Sequence, residues 1–228
     1  MRIPLVALAL GTAFPAYAAD EIMTVGGPYD WSGVYVGVNA GYTFGSSDVY
    51  FADLINVPFN ASLRPEGLIG GIHLGANYQT ANRFVVGLET DFLYNSLDDA
   101  TVGLAGSAGA AFGMAVEGDV KWSGSARARV GFAIGRILPF VTAGVAVAKY
   151  EMTMFPVDAP DSRFARDSTY VGWTAGAGVE YAFTEDWLGR IEYRYSDFGS
   201  KPFAPGMADV NYIYLKTHDV RLGLSYKF

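Results

Sequence analysis

Hydrophobic and polar residues alternate along most of this chain, and residues 187–195 show the pattern at its sharpest. Arg190, Glu192 and Arg194 share one parity, while Trp187, Gly189, Ile191, Tyr193 and Tyr195 share the other. Successive side chains of a strand point to opposite faces, so this segment has one charged face and one apolar, aromatic face. Alternation predicts eight strands, at residues 33–45, 67–79, 83–94, 120–135, 139–154, 170–183, 187–196 and 212–228. Each is long enough for a tilted membrane-spanning strand, which needs about 9–11 residues. The connections alternate in length. Those at 80–82, 136–138 and 184–186 are tight, and those at 46–66, 96–119, 155–169 and 197–211 are long. Short turns alternating with long loops predict an up-and-down barrel with both termini at the periplasmic end.

Parity sorts the two faces. One face collects Val34, Val36 and Val38, Ile72 and Leu74, Val86 and Leu88, Val130 and Phe132, and Val220, Leu222 and Leu224. The other collects His73, Glu89, Asp91, Arg127, Arg129, Glu180, Arg190, Glu192, Arg194, Asp219 and Arg221. In the fifth strand both parities of residues 140–148 are apolar, and neither is assigned to a face. Aromatics gather at both ends of the apolar face, with Tyr42, Phe44, Phe92, Trp122, Trp173 and Tyr193 near the loops and Tyr78, Phe84, Trp187, Tyr226 and Phe228 near the turns. Two aromatic girdles around an aliphatic belt indicate contact with lipid. The predicted fold class is therefore all-β, an eight-stranded antiparallel up-and-down transmembrane barrel.

Composition agrees with this. The 228 residues include 28 Gly, 15 Tyr, 15 Phe and no Cys, which excludes a disulfide scaffold and a thiolate metal site. A formal net charge of −7 argues against nucleic acid as a partner. Met1-Arg2, the apolar run at 3–14 and Ala16-Tyr17-Ala18 form a secretory signal, giving an expected signal peptide at 1–18. A short periplasmic segment at 19–31 and a barrel at 32–228 follow. Loss of Arg2 leaves 15 basic and 23 acidic residues, a mature charge of −8. Beyond the signal no window reads as a transmembrane helix; the nearest, residues 102–116, is rich in Gly and Ala, and its 102–113 part reads as a flexible loop.

The stretch Tyr29-Asp30-Trp31-Ser32-Gly33-Val34-Tyr35-Val36-Gly37-Val38-Asn39-Ala40-Gly41-Tyr42 resembles the first strand of small alphaproteobacterial outer-membrane β-barrel proteins, with their W-[ST]-G-x-Y-x-G-x-x-x-G-Y pattern. Residues 131–144 and the ending Arg221-Leu222-Gly223-Leu224-Ser225-Tyr226-Lys227-Phe228 are similar as well. The resemblance implies an outer-membrane location. It also makes Tyr226 and Phe228 the signal read by the outer-membrane assembly machinery. Members of such families are described as surface antigens, porin-like proteins, adhesins and hemin binders. The architecture also resembles the membrane domain of OmpA-type proteins, but the sequence stops at Phe228, and no peptidoglycan-binding domain is expected.

Ten charged residues on the inward parity, five Arg and five Asp or Glu, balance one another. Eight strands enclose a lumen that side chains can fill, so a luminal ion-pair network is the economical expectation: Glu89, Asp91, Arg127, Arg129, Glu180, Arg190, Glu192, Arg194, Asp219 and Arg221. A narrow pore lined by the same residues is the alternative. Arg190, Glu192 and Arg194 read as structural rather than as acid–base catalysts, and no Ser/His/Asp grouping marks the loop rim. The only two histidines, His73 facing the lumen and His218 facing outward, do not converge on a metal or heme. The expectation is therefore no enzyme, no cofactor and no metal. The long connections carry twelve acids and four bases. They suit a solvated rim facing lipopolysaccharide and available to an external ligand.

Overall fold

The computed structural model describes residues 29–51, 59–63, 66–97, 99–107, 110–156, 161, 164–202 and 212–228. The signal-peptide expectation, and loop acids such as Asp53, Asp98, Asp158 and Asp209, lie outside them. The strands are β1 (Gly33–Phe51), β2 (Phe59–Leu63), β3 (Glu66–Gln79), β4 (Phe84–Leu97), β5 (Asp99–Ser107), β6 (Ala110–Phe132), β7 (Ile137–Pro156), β8 (Phe164–Ala182), β9 (Trp187–Pro202) and β10 (Tyr212–Lys227). Eight of them close a barrel in the order β1-β3-β4-β6-β7-β8-β9-β10, and β10 pairs back onto β1 from Tyr35↔Lys227 to Tyr50↔Tyr212. All pairings are antiparallel. Closure leaves no unpaired edge in the wall, which lipid demands because it offers backbone groups no hydrogen bonds.

The first and third tight turns lie where the alternation places them, the second is displaced, and the strands run further toward the loop end than it indicates. β6 begins at Ala110 rather than residue 120, and β9 continues to Pro202. The Gly-rich run at 102–113 is not a flexible loop throughout: Thr101↔Val116 through Ser107↔Ala110 pair β5 with β6. β2 extends β1 in the same way, between Ser47↔Leu63 and Phe51↔Phe59. Backbone pairing continues where side-chain alternation fades, because once outside lipid no face must be uniformly apolar. In the second turn Ile137 and Leu138 already belong to β7, and the reversal sits at Ile134–Ile137.

The outer wall is aliphatic. Leu88 is 69% exposed and Leu222 61%. Ile72, Val145 and Val171 are exposed too. Aromatics flank this belt in contact pairs, Trp187–Tyr226 and Tyr181–Phe183 at the turn end, Trp173–Tyr195 and Phe92–Trp122 at the loop end. The unassigned fifth strand, β7, resolves cleanly: Val141, Ala143 and Val145 face out, while Phe140, Thr142, Ala146 and Ala148 face in.

The lumen is layered. On β4 and β9 the inward charges are bracketed by apolar residues. Val85 precedes Glu89 and Asp91 on β4, and Leu93 follows them; Leu188 precedes Arg190, Glu192 and Arg194 on β9, and Phe198 comes after. At the turn end Val85, Ala133, Leu138, Ala182 and Leu188 form a floor completed by Tyr29 and Trp31 from the segment before β1. Trp31 donates from Nε1 to the Gly135 carbonyl at 3.2 Å, and the Tyr29 hydroxyl donates to the Glu185 carbonyl at 3.0 Å. Burial, and after it the nearby Glu185 carboxylate, holds the Tyr29 phenol above its usual range, so it remains a donor.

Candidate functional site: the charged lumen

Register sets opposite charges directly across from each other. Glu89 faces Arg127, Glu180 faces Arg190, Arg194 faces Asp219 and Glu192 faces Arg221. All ten charged residues are buried. Arg127 is the hub. Its Nη2 lies 3.0 Å from Asp91 and also contacts Glu89, while Nη1 contacts Glu192 and donates to Thr142 Oγ1 at 3.1 Å. Arg129 grips Glu180 with both Nη atoms, at 2.8 and 3.2 Å. Its guanidinium also lies 4.4 Å over the Phe140 ring. Arg190 donates to Glu89 at 2.7 Å. Arg194 spans Asp91 at 2.9 Å and Glu192 at 3.2 Å. Arg221 contacts Asp219, and its Nη1 stands 3.8 Å from Asp91.

Tyr35 was not among the candidate residues, yet it joins two halves of the network. Its hydroxyl accepts from Arg129 Nη1 at 2.8 Å and donates to Glu89 Oε2 at 2.6 Å. Its inward parity was readable; the partners of the hydroxyl were not, because they come from β4 and β6. Two glycines make room for it and for its neighbour His73. A Cβ at Gly75 would stand 2.3 Å from the Tyr35 hydroxyl, and one at Gly37 would stand 2.5 Å from the His73 ring. Gly37 on β1 and Gly75 on β3 thus serve luminal packing.

Desolvating an ion costs several kcal/mol even after relaxation, and attraction in the interior offsets this only with good geometry and further hydrogen bonds. Forked Arg–carboxylate contacts, Tyr35, Thr142, Ser125 and Thr43 supply them. The arrangement can hold strands in register and occupy the lumen.

His73 meets Ser225, Nε2 to Oγ 2.7 Å. The pair has the spacing of a nucleophile and its base, but both residues are 2% exposed, so no substrate reaches them. His218 is elsewhere, on the outer wall, stacked on Phe44 and hydrogen-bonded through Nδ1 to the Tyr193 hydroxyl at 2.6 Å. The structure does not bring the two histidines together. Tyr226 and Phe228 face outward at the turn end, in edge contact at 5.1 Å.

A closed antiparallel barrel with an aliphatic, aromatic-flanked exterior and a buried ionic interior is an integral outer-membrane β-barrel. The chain belongs to the family described as the outer membrane protein beta-barrel domain, whose model matches residues 6–228. It is 34% identical over 244 residues to the 31 kDa outer-membrane immunogenic protein of Brucella melitensis, covering 98% of each chain. It is 32% identical to the 25 kDa outer-membrane immunogenic protein of Brucella abortus, covering 95% of this chain and 91% of that one. Among solved structures, the outer membrane protease OmpT of Escherichia coli matches at a TM-score of 0.52 and 8% identity, covering 86% of this chain and 97% of that one. At that identity only the fold is shared.

Proposed function

We propose that the protein is a structural, surface-exposed barrel of the outer membrane whose lumen is plugged by the Arg/carboxylate network. The observation that carries this reading is the pairing of all ten luminal charges at side-chain exposures of 6% or less. Apolar layers on both sides of the network add to it. The reading is non-enzymatic, in keeping with relatives named outer-membrane immunogenic proteins; among the described residues the Ser225–His73 contact is sealed inside the barrel. Tyr226 and Phe228 serve as the assembly signal, consistent with their exposed position at the end of the closing strand. The outer wall meets lipid, and its loop-end rim meets lipopolysaccharide. The loops are the part available to external partners, in keeping with relatives named immunogenic proteins.

Planar-bilayer recording of the refolded chain tests the reading. The native protein should give no unitary currents, and Arg127→Ala or Glu89→Ala should admit ions by breaking the plug. Steady, ion-selective channels from the native protein would establish the porin-like alternative instead.

A further inference from the structure

On the loop side of the network lies a cavity of about 30 Å³, whose wall includes Asp91, Ser125, Ala146, Arg194, Asp219 and Arg221. Four polar atoms of these buried residues have no hydrogen-bond partner: Asp91 Oδ1, Arg194 Nε, and Arg221 Nε and Nη1. Arg221 Nη1 and Asp91 Oδ1 stand 3.8 Å apart, too far for a direct hydrogen bond. Leaving such groups unsatisfied in a buried site costs about 1–3 kcal/mol each, and more when charged. An occupant must donate to the carboxylate and accept from the guanidinium groups. The two Arg and two Asp in the wall cancel in charge, so neither a cation nor an anion is favoured. Water donates and accepts, and about 10–15 Å³ of such space holds one molecule.

Apolar side chains cover part of this cavity toward the loops, beside the polar Asn95 and Ser123. Val120, Ala148 and Phe198 line it, and Leu93 and Leu215 are buried beyond the charged residues of their strands. A β-bulge on β6 contributes to this cover. The shift between Val120 and Trp122 on β6 turns Val120 inward and spares Lys121 the lumen; Lys121 instead pairs with Asp119 at 3.0 Å. A second bulge lies on β9, where Phe198 and Gly199, the latter at φ 66°, together oppose Leu215; Leu215 and Phe198 keep the inward parity of their own strands. A bulge places an extra residue on one strand and re-aims its side chain.

We propose that this cavity is a resident-water site: one or two molecules complete the coordination of Asp91, Arg194 and Arg221, and the lid of Phe198 and Val120 keeps them from exchanging. The proposal rests on the closed-lumen reading above. The test is solid-state NMR of the full refolded chain in lipid bilayers, with ¹⁵N-labelled arginine and magnetisation transferred from water. Transfer should reach the Arg194 and Arg221 Nε–H groups and not Arg129, whose guanidinium is enclosed by Glu180, Tyr35 and Phe140. Ala146→Leu, which fills the cavity, should abolish the transfer. Phe198→Ala should speed exchange of the same two Nε–H groups with bulk D₂O by about tenfold or more, as local opening governs exchange. No transfer to Arg194 and Arg221, equal transfer to Arg129, or transfer that survives Ala146→Leu would each overturn the site. Unchanged exchange in Phe198→Ala would overturn the lid. Bilayer recordings of the same preparation separate the two readings: native channel currents defeat the closed lumen, whereas a silent bilayer without water at Arg194 and Arg221 defeats only the water site.

Discussion

The two faces of the barrel wall are made by the same strands and obey different rules. Outside, Leu222, Ile72 and Val145 meet lipid, and any aliphatic side chain of similar size would serve. Inside, each residue is matched to named partners: Arg127 to Glu89, Asp91 and Glu192, Arg129 to Glu180 and Tyr35. The exterior is specified by composition and the interior by pairing. A change of polarity injures the first, and a change of partner injures the second.

The sharpest break of that comparison is Arg127→Ala, which takes one cationic partner from each of three buried carboxylates, Glu89, Asp91 and Glu192. Removing one partner of a buried ion pair costs about 3–5 kcal/mol, so urea unfolding of the refolded barrel in vesicles should show a loss of that order. Leu222→Ala on the outer face of β10 should lose clearly less, since the lost side chain faced lipid rather than a packed core. An outward charge should come next: Ala143→Arg on β7 places a guanidinium in the lipid belt, at a cost of about 2–4 kcal/mol if it lies near the midplane, read from the same titration. A neutral Ala143→Val should leave the midpoint nearly unchanged, and a large shift there would show that the exterior has partners of its own.

Within the lumen, Tyr35→Phe keeps the ring and removes the hydroxyl shared by Glu89 and Arg129. A loss of about 1–3 kcal/mol is expected, because two buried charged groups each lose a partner. The smallest effect should come from the rim. Lys216→Ala removes a half-exposed contact with Asp197 at 4.0 Å, and exposed pairs contribute about 0–1 kcal/mol. If Lys216→Ala proved as damaging as Tyr35→Phe, the division between a matched interior and a tolerant exterior would fail.

Much of this was legible in the sequence. Strict alternation with a charged parity reports a two-sided wall, and the ten luminal charges could be named because each sits two residues from another charge or between apolar neighbours of opposite parity. β7 was not legible, since its inward side is Phe140, Ala146 and Ala148 where it flanks the charges. Apolar residues on both parities carry no sign of direction. The floor was missed for a different reason. Tyr29 and Trp31 precede the first strand and have no alternation to join, and their burial depends on Leu138, Ala182 and Leu188, which are distant in sequence.

The sequence by itself determined the class of fold, the compartment and which charged residues turn inward, because the period of two is a local property of an extended backbone. Only the tertiary structure decided which Arg meets which carboxylate, that Tyr35 joins them, and that a bulge at Val120 carries an apolar side chain over the network. Pairing depends on register across strands that are far apart in the chain, and a bulge reverses parity without any mark in the alternating pattern.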